Sequence, residues 1–277
     1  MIYCDLHTHT NFSFDGAENS TPDALCRRAL EAGITDLAIT DHCDVNGEVE
    51  KIYSVYDSDA AFTAVMEAKE KYKGRLNLIY GLELGNAHQY PEYARGVLTR
   101  HPYEFVIRSL HNLRGVPDFY YINFEHMREP IIYQLFDRAL DEMMEMCAFE
   151  ADGNPPLATL GHITYMHRYV TMSKRTMDFK PHYDKITALY ELIIKKDIAL
   201  ELNVSTIAKG LGISMPTLEL LKLYRDVGGR LITTGSDAHS PEMLGKAIRK
   251  GHALLLAAGF VEAVTVRDGE RVAYKLN

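Results

Sequence analysis

The sequence contains few cysteines, no long apolar run and no basic secretory leader. Its longest apolar stretch, residues 253–260, is much shorter than the ~20 residues that a membrane-spanning helix needs, and the first three residues include no basic side chain. The four cysteines are Cys4, Cys26, Cys43 and Cys147. They form no Cys-x-x-Cys pair, which disfavours a disulfide framework and favours reduced thiols. We therefore expect a cytoplasmic protein that binds no membrane.

Basic clusters are also missing, and the formal net charge of the 277-residue chain is −8 at pH 7. This balance argues against binding to a long nucleic acid, whose phosphates attract blocks of lysine and arginine. It leaves room for a small anionic ligand, because a local site can oppose the global charge. The chain lacks low-complexity linkers and internal repeats, so one domain over residues 1–277 is the simplest organisation. The pattern indicates no obligate protein partner.

Short apolar runs alternate with longer segments of helical spacing along most of the sequence. Strands are predicted for residues 2–6, 36–40, 76–82, 104–109, 157–160, 198–203 and 230–234. Seven β-then-α units predict a parallel sheet and, at this length, a closed or nearly closed barrel of the α/β class.

Local signals mark several element ends. A cap and an early proline at residues 20–22 predict a helix over 24–32 that ends at Gly33, and Ser58 is predicted to cap a helix over 60–72. Residues 261–274 predict a hairpin around Asp268-Gly269, placed at a sheet edge or as a cap.

Histidines and acidic residues stand where six of the seven predicted strands end. His7 and His9 follow the first strand, and side chains two residues apart on an extended segment share a face. A single histidine at a strand end is more often a hydrogen-bonded polar group than a ligand, and single acids there are also typical of turns or helix caps. Because the loops after the strands of a βα barrel converge on one face, the whole set predicts a metal site. The set comprises His7, His9, Asp15, His42, Glu83, His111, His162, Asp237 and His239.

The residue types also indicate the class of ion. Imidazole with carboxylate suits zinc, manganese or iron, whereas calcium and magnesium favour shells made of oxygen alone. Nine candidate ligands exceed what one tetrahedral ion binds. We therefore expect two or three divalent ions, with carboxylates able to bridge neighbouring ions.

The ordered motifs resemble those of the polymerase and histidinol phosphatase (PHP) superfamily. They are His7-Thr8-His9, Asp15, Thr40-Asp41-His42, Gly81-Leu82-Glu83, Ser109-Leu110-His111, Gly161-His162 and Ser236-Asp237-Ala238-His239. The resemblance implies a distorted (β/α)7 TIM-like barrel with a trinuclear metal site at the C-terminal face of the strands. The chain length, the long segment between His111 and His162, and the Glu-Leu-Asn-Val-Ser run at 201–205 most resemble the histidinol-phosphate phosphatases of this superfamily.

The resemblance further implies which residues hold which ion. One ion would be held by His7, His9, Glu83 and Asp237. Glu83 would bridge to a second ion, which His111 and His162 also bind. The third ion would be held by Asp15, His42 and His239. Among these ligands, Glu83, Asp237 and His239 are the catalytic candidates.

A phosphate ester fits the charge of such a site. Three divalent ions, three carboxylates and one bridging hydroxide leave a residual charge of about +2, which matches a phosphomonoester dianion. A metal-bridging hydroxide, formed because bound water acidifies to a pKa of ~7, is expected to attack phosphorus directly. Arg168, on the loop after His162, resembles a phosphate-binding arginine of the family, and Lys209 is a second candidate. Both are also typical of solvated surface residues.

The resemblance implies hydrolysis of L-histidinol phosphate to L-histidinol and phosphate, a step of histidine biosynthesis. The first alternative is a PHP-type phosphoesterase that acts on nucleotides or another small phosphomonoester. The second is an amidohydrolase-type C–N hydrolase, which usually carries a modified lysine on the fourth strand, and residues 104–109 contain no lysine. The third is a non-catalytic metal-binding module, which would have lost ligands, whereas all nine positions are filled here.

Residues outside the ligand set carry three further expectations. The segment after His111 is expected either to cover the cluster as a lid that contacts the alcohol or to be a packed excursion. Arg108 and Ala208 depart from the family pattern, and the sequence leaves open whether Arg108 reshapes the pocket and whether Ala208 weakens substrate binding. Lid candidates are Asp118, Phe119, Tyr120, Tyr121 and Glu125. Surface or packing roles are expected for His88, His101, His126, His167, His182 and His252.

Overall fold

All seven predicted strands are present in the computed structural model, which describes residues 2–149 and 155–276. The structure has three more strands. One of them, β3, was not predicted, and the other two, β9 and β10, form the predicted C-terminal hairpin. The strands are β1 (Cys4–Asp5), β2 (Asp36–Ile39), β3 (His42–Asp44), β4 (Asn77–Gly85), β5 (Phe105–Ser109), β6 (Leu157–Leu160), β7 (Ala199–Asn203), β8 (Ile232–Gly235), β9 (Glu262–Arg267) and β10 (Glu270–Lys275).

The strands pair in parallel in the order β1-β2-β4-β5-β6-β7-β8, and β3 adds a second partner to β4. The sheet nearly closes because the segment after β1 meets the end of β8. There the Leu6 amide donates to the Thr234 carbonyl at 3.0 Å, and the Asp237 amide donates to the His7 carbonyl at 2.8 Å. The predicted barrel of seven parallel strands is therefore confirmed.

Helices on the outside of the barrel connect the strands. The α-helices are α1 (Pro22–Ala32), α2 (Val45–Val49), α3 (Ser58–Tyr72), α4 (Pro91–Arg100), α5 (Glu129–Ala148), α6 (Tyr165–Met172), α7 (Tyr183–Lys195), α8 (Ser205–Ala208), α9 (Leu218–Asp226) and α10 (Ile248–Ala258). Short 3₁₀ turns cover Phe119–Tyr121, Lys180–His182 and Pro241–Met243. Within the described residues, every helix is too short or too polar to cross a membrane.

Of the two predicted helix N-caps, the one before α1 is present and the one at Ser58 is not. The Thr21 side chain accepts a hydrogen bond from the Ala24 amide, and Gly33 ends α1 with φ of 73°, which glycine adopts without a steric cost. The predicted cap at Ser58 is wrong, because the helix already includes Ser58. Asp57 is the cap instead, and its carboxylate accepts from the Ala60 amide.

The C-terminal hairpin β9–β10 covers the N-terminal end of the barrel. Arg267 makes two hydrogen bonds, at 2.7 and 2.6 Å, to the buried carboxylate of Asp36 at the start of β2. Asn77, at the start of β4, donates to the Val266 carbonyl at 2.7 Å. The predicted hairpin is thus a cap at the end opposite the strand C-termini, which leaves that other end for the polar residues.

Candidate metal centre

The nine predicted ligands all lie at the C-terminal end of the barrel. His42 and Glu83 sit within strands, and the parallel register places them side by side on β3 and β4. The others follow strands: His7, His9 and Asp15 after β1, His111 after β5, His162 after β6, and Asp237 and His239 after β8. All of them are buried except Asp15 and His239, which lie at the cavity side.

Glu83 lies at the centre of the cluster. Its Oε1 atom is 2.9 Å from His162 Nε2 and 3.2 Å from His111 Nε2. Its Oε2 atom is 2.9 Å from His42 Nδ1 and 3.2 Å from His7 Nε2. A carboxylate with imidazole nitrogens converging on both oxygens has the arrangement that a bridging metal ligand requires.

Two further carboxylates extend the cluster toward the cavity. Asp237 Oδ1 lies 3.4 Å from His9 Nε2 and 3.6 Å from His239 Nδ1. Asp15 Oδ2 lies 3.1 Å from His239 Nε2, and its other oxygen is 3.8 Å from His42 Nε2. All nine side chains are therefore linked by contacts between nitrogen and oxygen atoms.

The buried imidazoles differ in the charge that their surroundings favour. Burial opposes protonation of His7, but the carboxylates of Glu201, Glu83 and Asp237 outweigh it and raise the His7 pKa well above its usual 6.5. For His9, burial and the neighbouring imidazoles of His239 and His42 hold the pKa well below that value. The His9 ring stacks on His42 and His239 with centroids 4.2 and 4.1 Å away.

Several buried atoms in the cluster fit metal ions better than hydrogen bonds. His7 Nε2, His9 Nε2, His42 Nδ1 and Glu83 Oε2 are buried and make no hydrogen bond of acceptable geometry. A buried polar atom without a partner lowers the stability of the fold. Four such atoms turned toward one another therefore require a bound group that interacts with all of them. Bound cations of the kind that prefer nitrogen and carboxylate donors would supply it.

The ligands also fall into compact groups whose donor atoms lie within 4.8 Å of one another. The groups are His7-His9-Asp237, His7-Glu83-His162, His42-Glu83-His111 and His9-His42-His239. His42 thus belongs with Glu83 as well as with His239, so its assignment to a particular ion stays a prediction. The side chains present can hold more than one ion.

Two carboxylates outside the predicted ligand set contact the ligand histidines on the side away from the cluster centre. Glu201 Oε1 lies 2.6 Å from His7 Nδ1, and its other oxygen accepts from the His162 amide at 2.7 Å. Asp44 Oδ1 lies 2.8 Å from His111 Nδ1. Such partners fix the ring orientation and leave the Nε2 lone pair for a metal. An acid on the buried strand β7 indicates that Glu201 has a polar partner, but the sequence does not identify that partner.

Close backbone approach makes these contacts possible. A Cβ atom on Gly85 would stand 1.7 Å from Asp44 Oδ1, and one on Gly235 would stand 2.3 Å from the His7 Cβ. Neither position leaves space for a side chain. These two glycines therefore belong to the architecture of the site.

A cavity of about 650 Å³ opens above the ligands. Arg168 and Lys209 line it together with Asp15, Asp237 and His239. Burial and the nearby Arg168 guanidinium lower the Lys209 pKa, while Asp237 and Asp15 oppose that shift. Both predicted phosphate-binding residues consequently lie beside the ligand cluster.

The segment after His111 forms part of the cavity wall. Asp118, Tyr120 and Tyr121 line the cavity. The other two lid candidates do not: Phe119 is buried in the core, and Glu125 is exposed away from the cavity. The segment is thus a packed 3₁₀ turn with a polar and aromatic face toward the site. Unpredicted wall residues are Phe14 from the loop after β1, Ile52 and Tyr53 from the loop after α2, and Tyr165 and Tyr169 from α6.

The two departures from the family pattern lie away from the cavity. Arg108 points to the end of α5, where Nη1 is 3.2 Å from the Met146 carbonyl and 2.9 Å from the Phe149 carbonyl. Arg108 therefore does not line the cavity, because its side chain leaves β5 toward α5 on the outside of the barrel. Ala208 is half-buried at the end of α8, and the adjacent Lys209 is the residue that reaches the cavity.

The six remaining histidines lie outside the cavity wall within the described part of the chain. His88 Nε2 lies 2.9 Å from Glu142, and His252 is buried between Tyr3 and Tyr274. Of the others, His167 and His182 are buried, His101 is half-buried and His126 is exposed.

Comparison with known proteins gives matches over most of the chain. A family model described as the PHP domain matches residues 5–205. A probable histidinol-phosphatase from Thermotoga maritima is 29% identical over 249 residues, which cover 89% of this chain and 88% of the relative. A histidinol-phosphatase from Lactococcus lactis subsp. lactis is 22% identical over 270 residues, which cover 96% of this chain and 94% of the relative.

A solved structure shares the fold. The crystal structure of histidinol phosphate phosphatase from Lactococcus lactis subsp. lactis, complexed with zinc, L-histidinol and phosphate, matches with a TM-score of 0.78. The match covers 97% of this chain and 98% of that chain at 21% sequence identity. At this identity, the likeness concerns the barrel and its connections.

Proposed function

This chain belongs to the PHP domain family, and on that premise we propose that it is a metal-dependent phosphomonoesterase that hydrolyses L-histidinol phosphate to L-histidinol and phosphate. The observation that carries the proposal is the convergence of nine histidine and carboxylate side chains around Glu83, beside Arg168 and Lys209 in one cavity. Relatives named histidinol-phosphatase match nearly the whole chain, which supports this substrate over others.

The proposed cofactors are two or three zinc, manganese or iron ions held by the nine ligands. When bound, these ions supply an acidified water as nucleophile and positive charge for the phosphoryl oxygens. Glu83, Asp237 and His239 are the proposed catalytic ligands, because Glu83 lies at the centre of the cluster and Asp237 and His239 line the cavity beside it. Glu201 and Asp44 hold the rings of His7 and His111 in place.

The chain's own cations would bind the phosphate from the cavity side. The Arg168 guanidinium is half-buried, its Nε atom has no hydrogen-bond partner, and its charged end lies over the Tyr169 ring. A planar guanidinium in this state is ready to donate two hydrogen bonds to phosphate oxygens. Lys209 adds a second positive charge, which stabilises the additional negative charge on the transferred group.

The alternatives are less well supported by the site. A nucleotide substrate would use the same ligands, so only the substrate screen separates it from histidinol phosphate. A C–N hydrolase of the amidohydrolase type would usually need a bridging lysine on β5, the fourth strand of the barrel order predicted from sequence, and β5 contains none. A non-catalytic module would not require Arg168 and Lys209 beside a complete ligand set.

A phosphate-release screen tests the proposal. Protein supplied with manganese or zinc would be assayed on L-histidinol phosphate, mononucleotides, sugar phosphates and phosphoserine. We expect kcat/KM for L-histidinol phosphate to exceed the others by at least about tenfold, since pockets that pair polar groups with one alcohol reject the rest. Equal values for all esters would contradict the assigned substrate, and absence of phosphate release would contradict the enzyme class. The expected cytoplasmic location belongs to this proposal.

A further inference from the structure

The cavity wall carries two groups of charged side chains. In one group, the cations Arg168 and Lys209 lie near the carboxylates of Asp15 and Asp237. In the other, the carboxylate of Asp118 lies near Asp44 and His111, with one donor atom from each within 4.8 Å of the others. The second group includes no lysine or arginine among the described residues.

Asp118 is held firmly in this wall. Its Oδ1 atom accepts from the Tyr120 amide at 2.7 Å and from the Tyr165 hydroxyl at 3.4 Å. The next residue, Phe119, is buried, and its amide donates to the His111 carbonyl at 3.1 Å. A half-buried carboxylate fixed in this way loses little conformational entropy when it binds a ligand.

Within residues 2–149 and 155–276, no lysine or arginine forms an ion pair with Asp118. Burial raises the Asp118 pKa, and the nearby His111 imidazole lowers it in part. Besides Asp44, His111 and His42, the surroundings of Asp118 are aromatic, since Tyr53, Tyr120 and Tyr165 lie near it on the cavity wall. A carboxylate among aromatic faces is the environment that protein sites offer to an organic ammonium group.

We propose that Asp118 is a specificity-determining residue, which binds the cationic amine of the alcohol that the phosphate ester carries. This inference rests on the proposed function, because L-histidinol phosphate has one anionic end and one ammonium group. The phosphate lies toward Arg168 and the ligand cluster, and the amine lies toward Asp118. Phosphate esters without a cation leave the negative charge of Asp118 without a counter-charge, which selects against them.

Asp118 has a competing role as a metal ligand, because it forms a compact group with Asp44 and His111. The hydrogen-bonding pattern opposes that role. His111 Nδ1 is already 2.8 Å from Asp44, while its Nε2 atom faces Glu83. An ion bound by Asp118 would therefore have to displace Asp44 from the ring that it orients.

The test compares Asp118→Asn with wild-type protein on three phosphate esters. The esters are L-histidinol phosphate, its N-acetylated derivative without the ammonium charge, and phenyl phosphate. Asp118→Asn is expected to lower kcat/KM for L-histidinol phosphate by about 10- to 100-fold, the range for a hydrogen bond to a charged group. For the two uncharged alcohols, kcat/KM is expected to change by less than about threefold, since the contact is absent there.

A matched control and a metal measurement separate the outcomes. Glu129→Gln removes the same charge from the exposed start of α5 and is expected to leave all three reactions unchanged. Metal content of Asp118→Asn is expected to equal that of wild type. An equal loss on all three esters, an unchanged preference, or the loss of one metal equivalent would each overturn this inference. A wild-type protein without preference for L-histidinol phosphate would instead overturn the proposed function together with it.

Discussion

At the scale of single residues, Glu83 is a buried carboxylate surrounded by histidines. It is fully buried, and its two oxygens face the imidazoles of five histidines within 3.5 Å. A carboxylate in this position lowers the cost of burying the positive charge that the histidines or bound ions carry. Replacing it affects every proposed ion that it bridges.

The first prediction concerns Glu83→Gln, which keeps the size of the side chain and removes its charge. We expect phosphatase activity to fall at least about 10³-fold, because the metal-held chemistry depends on this ligand. Elemental analysis should give two or three metal equivalents for wild type and fewer for the variant, with an unchanged circular dichroism spectrum. His9→Ala should behave alike, and the exposed Glu70→Gln serves as control. Near-normal activity in either ligand variant would contradict the site.

Arg168 allows a second prediction at this scale. Arg168→Ala should raise KM by an amount equivalent to about 1.5–3 kcal/mol, the range for a hydrogen bond to a charged group. Steady-state kinetics on L-histidinol phosphate measures this change. Arg128→Ala, at the exposed start of α5, is the matched control. An unchanged KM in Arg168→Ala would make Arg168 a surface residue without a substrate contact.

At the scale of elements, short loops and close strand contacts place the site residues. β4 continues to Gly85, beyond the predicted end at residue 82, and this extension carries Glu83 alongside His42 of β3. Buried asparagines then fix the loops. The Asn86 amide nitrogen donates to Asn46 and to Asn112 at 2.8 Å, and its carbonyl oxygen accepts from the His111 amide at 3.1 Å.

Arg108 gives a prediction for α5. Its guanidinium lies against three carbonyl groups at the end of this helix, where the helix dipole favours a positive charge. Arg108→Met keeps the aliphatic stem and leaves these carbonyls without their donor, so we expect a loss of about 1–3 kcal/mol in the free energy of unfolding. Urea denaturation measures it, and kcat/KM should stay unchanged because Arg108 does not line the cavity.

The control for this variant is Arg128→Met at the opposite end of α5. Because Arg128 is exposed, its effect on stability should stay within about 0.5 kcal/mol. If Arg108→Met instead lowered kcat/KM at unchanged stability, Arg108 would act on the site after all.

At the scale of the whole molecule, the two ends of the barrel are specialised. The hairpin β9–β10 seals the N-terminal end through the ion pair between Arg267 and Asp36, and the ligand cluster occupies the other end. The buried strands between them isolate the site from the hairpin. We therefore expect global stability and metal chemistry to respond to different residues.

Acid sensitivity of the fold is predicted from His167, which is buried beside Phe179 outside the cavity wall. Burial lowers its pKa to about 4, against 6.5 in the unfolded chain. As the pH falls below 6.5, the unfolded state takes up a proton that the folded state refuses until about pH 4, so stability is lost within this window.

The measurement is urea denaturation of wild type and His167→Leu at pH 7 and pH 5. Between these pH values, wild type should lose about 2 kcal/mol more than the variant, given the two pKa values. The metal ligands titrate in both proteins, so their effect cancels in the comparison. The exposed His126→Leu should follow wild type. Equal pH dependence in His167→Leu and wild type would contradict the assignment.

The sequence alone determined the architecture and the rim on which the polar residues lie. Short apolar runs such as 157–160 specify buried parallel strands, and Gly33 specifies a helix end, because both signals depend on local backbone and burial preferences. The order of histidines and acids after these strands specified the C-terminal face as the candidate site. The order and spacing of residues along the chain are enough to predict the strands, the helix ends and the face that carries the site.

Only the tertiary structure decided which side chains meet. Glu201 is separated from His7 by 194 residues, and Asp44 from His111 by 67, so no local pattern could pair them. The direction of Arg108 and the burial of Phe119 likewise depend on packing against distant helices and strands. Contact between residues distant in the sequence is set by barrel closure and strand register, because these fix the face on which each side chain emerges.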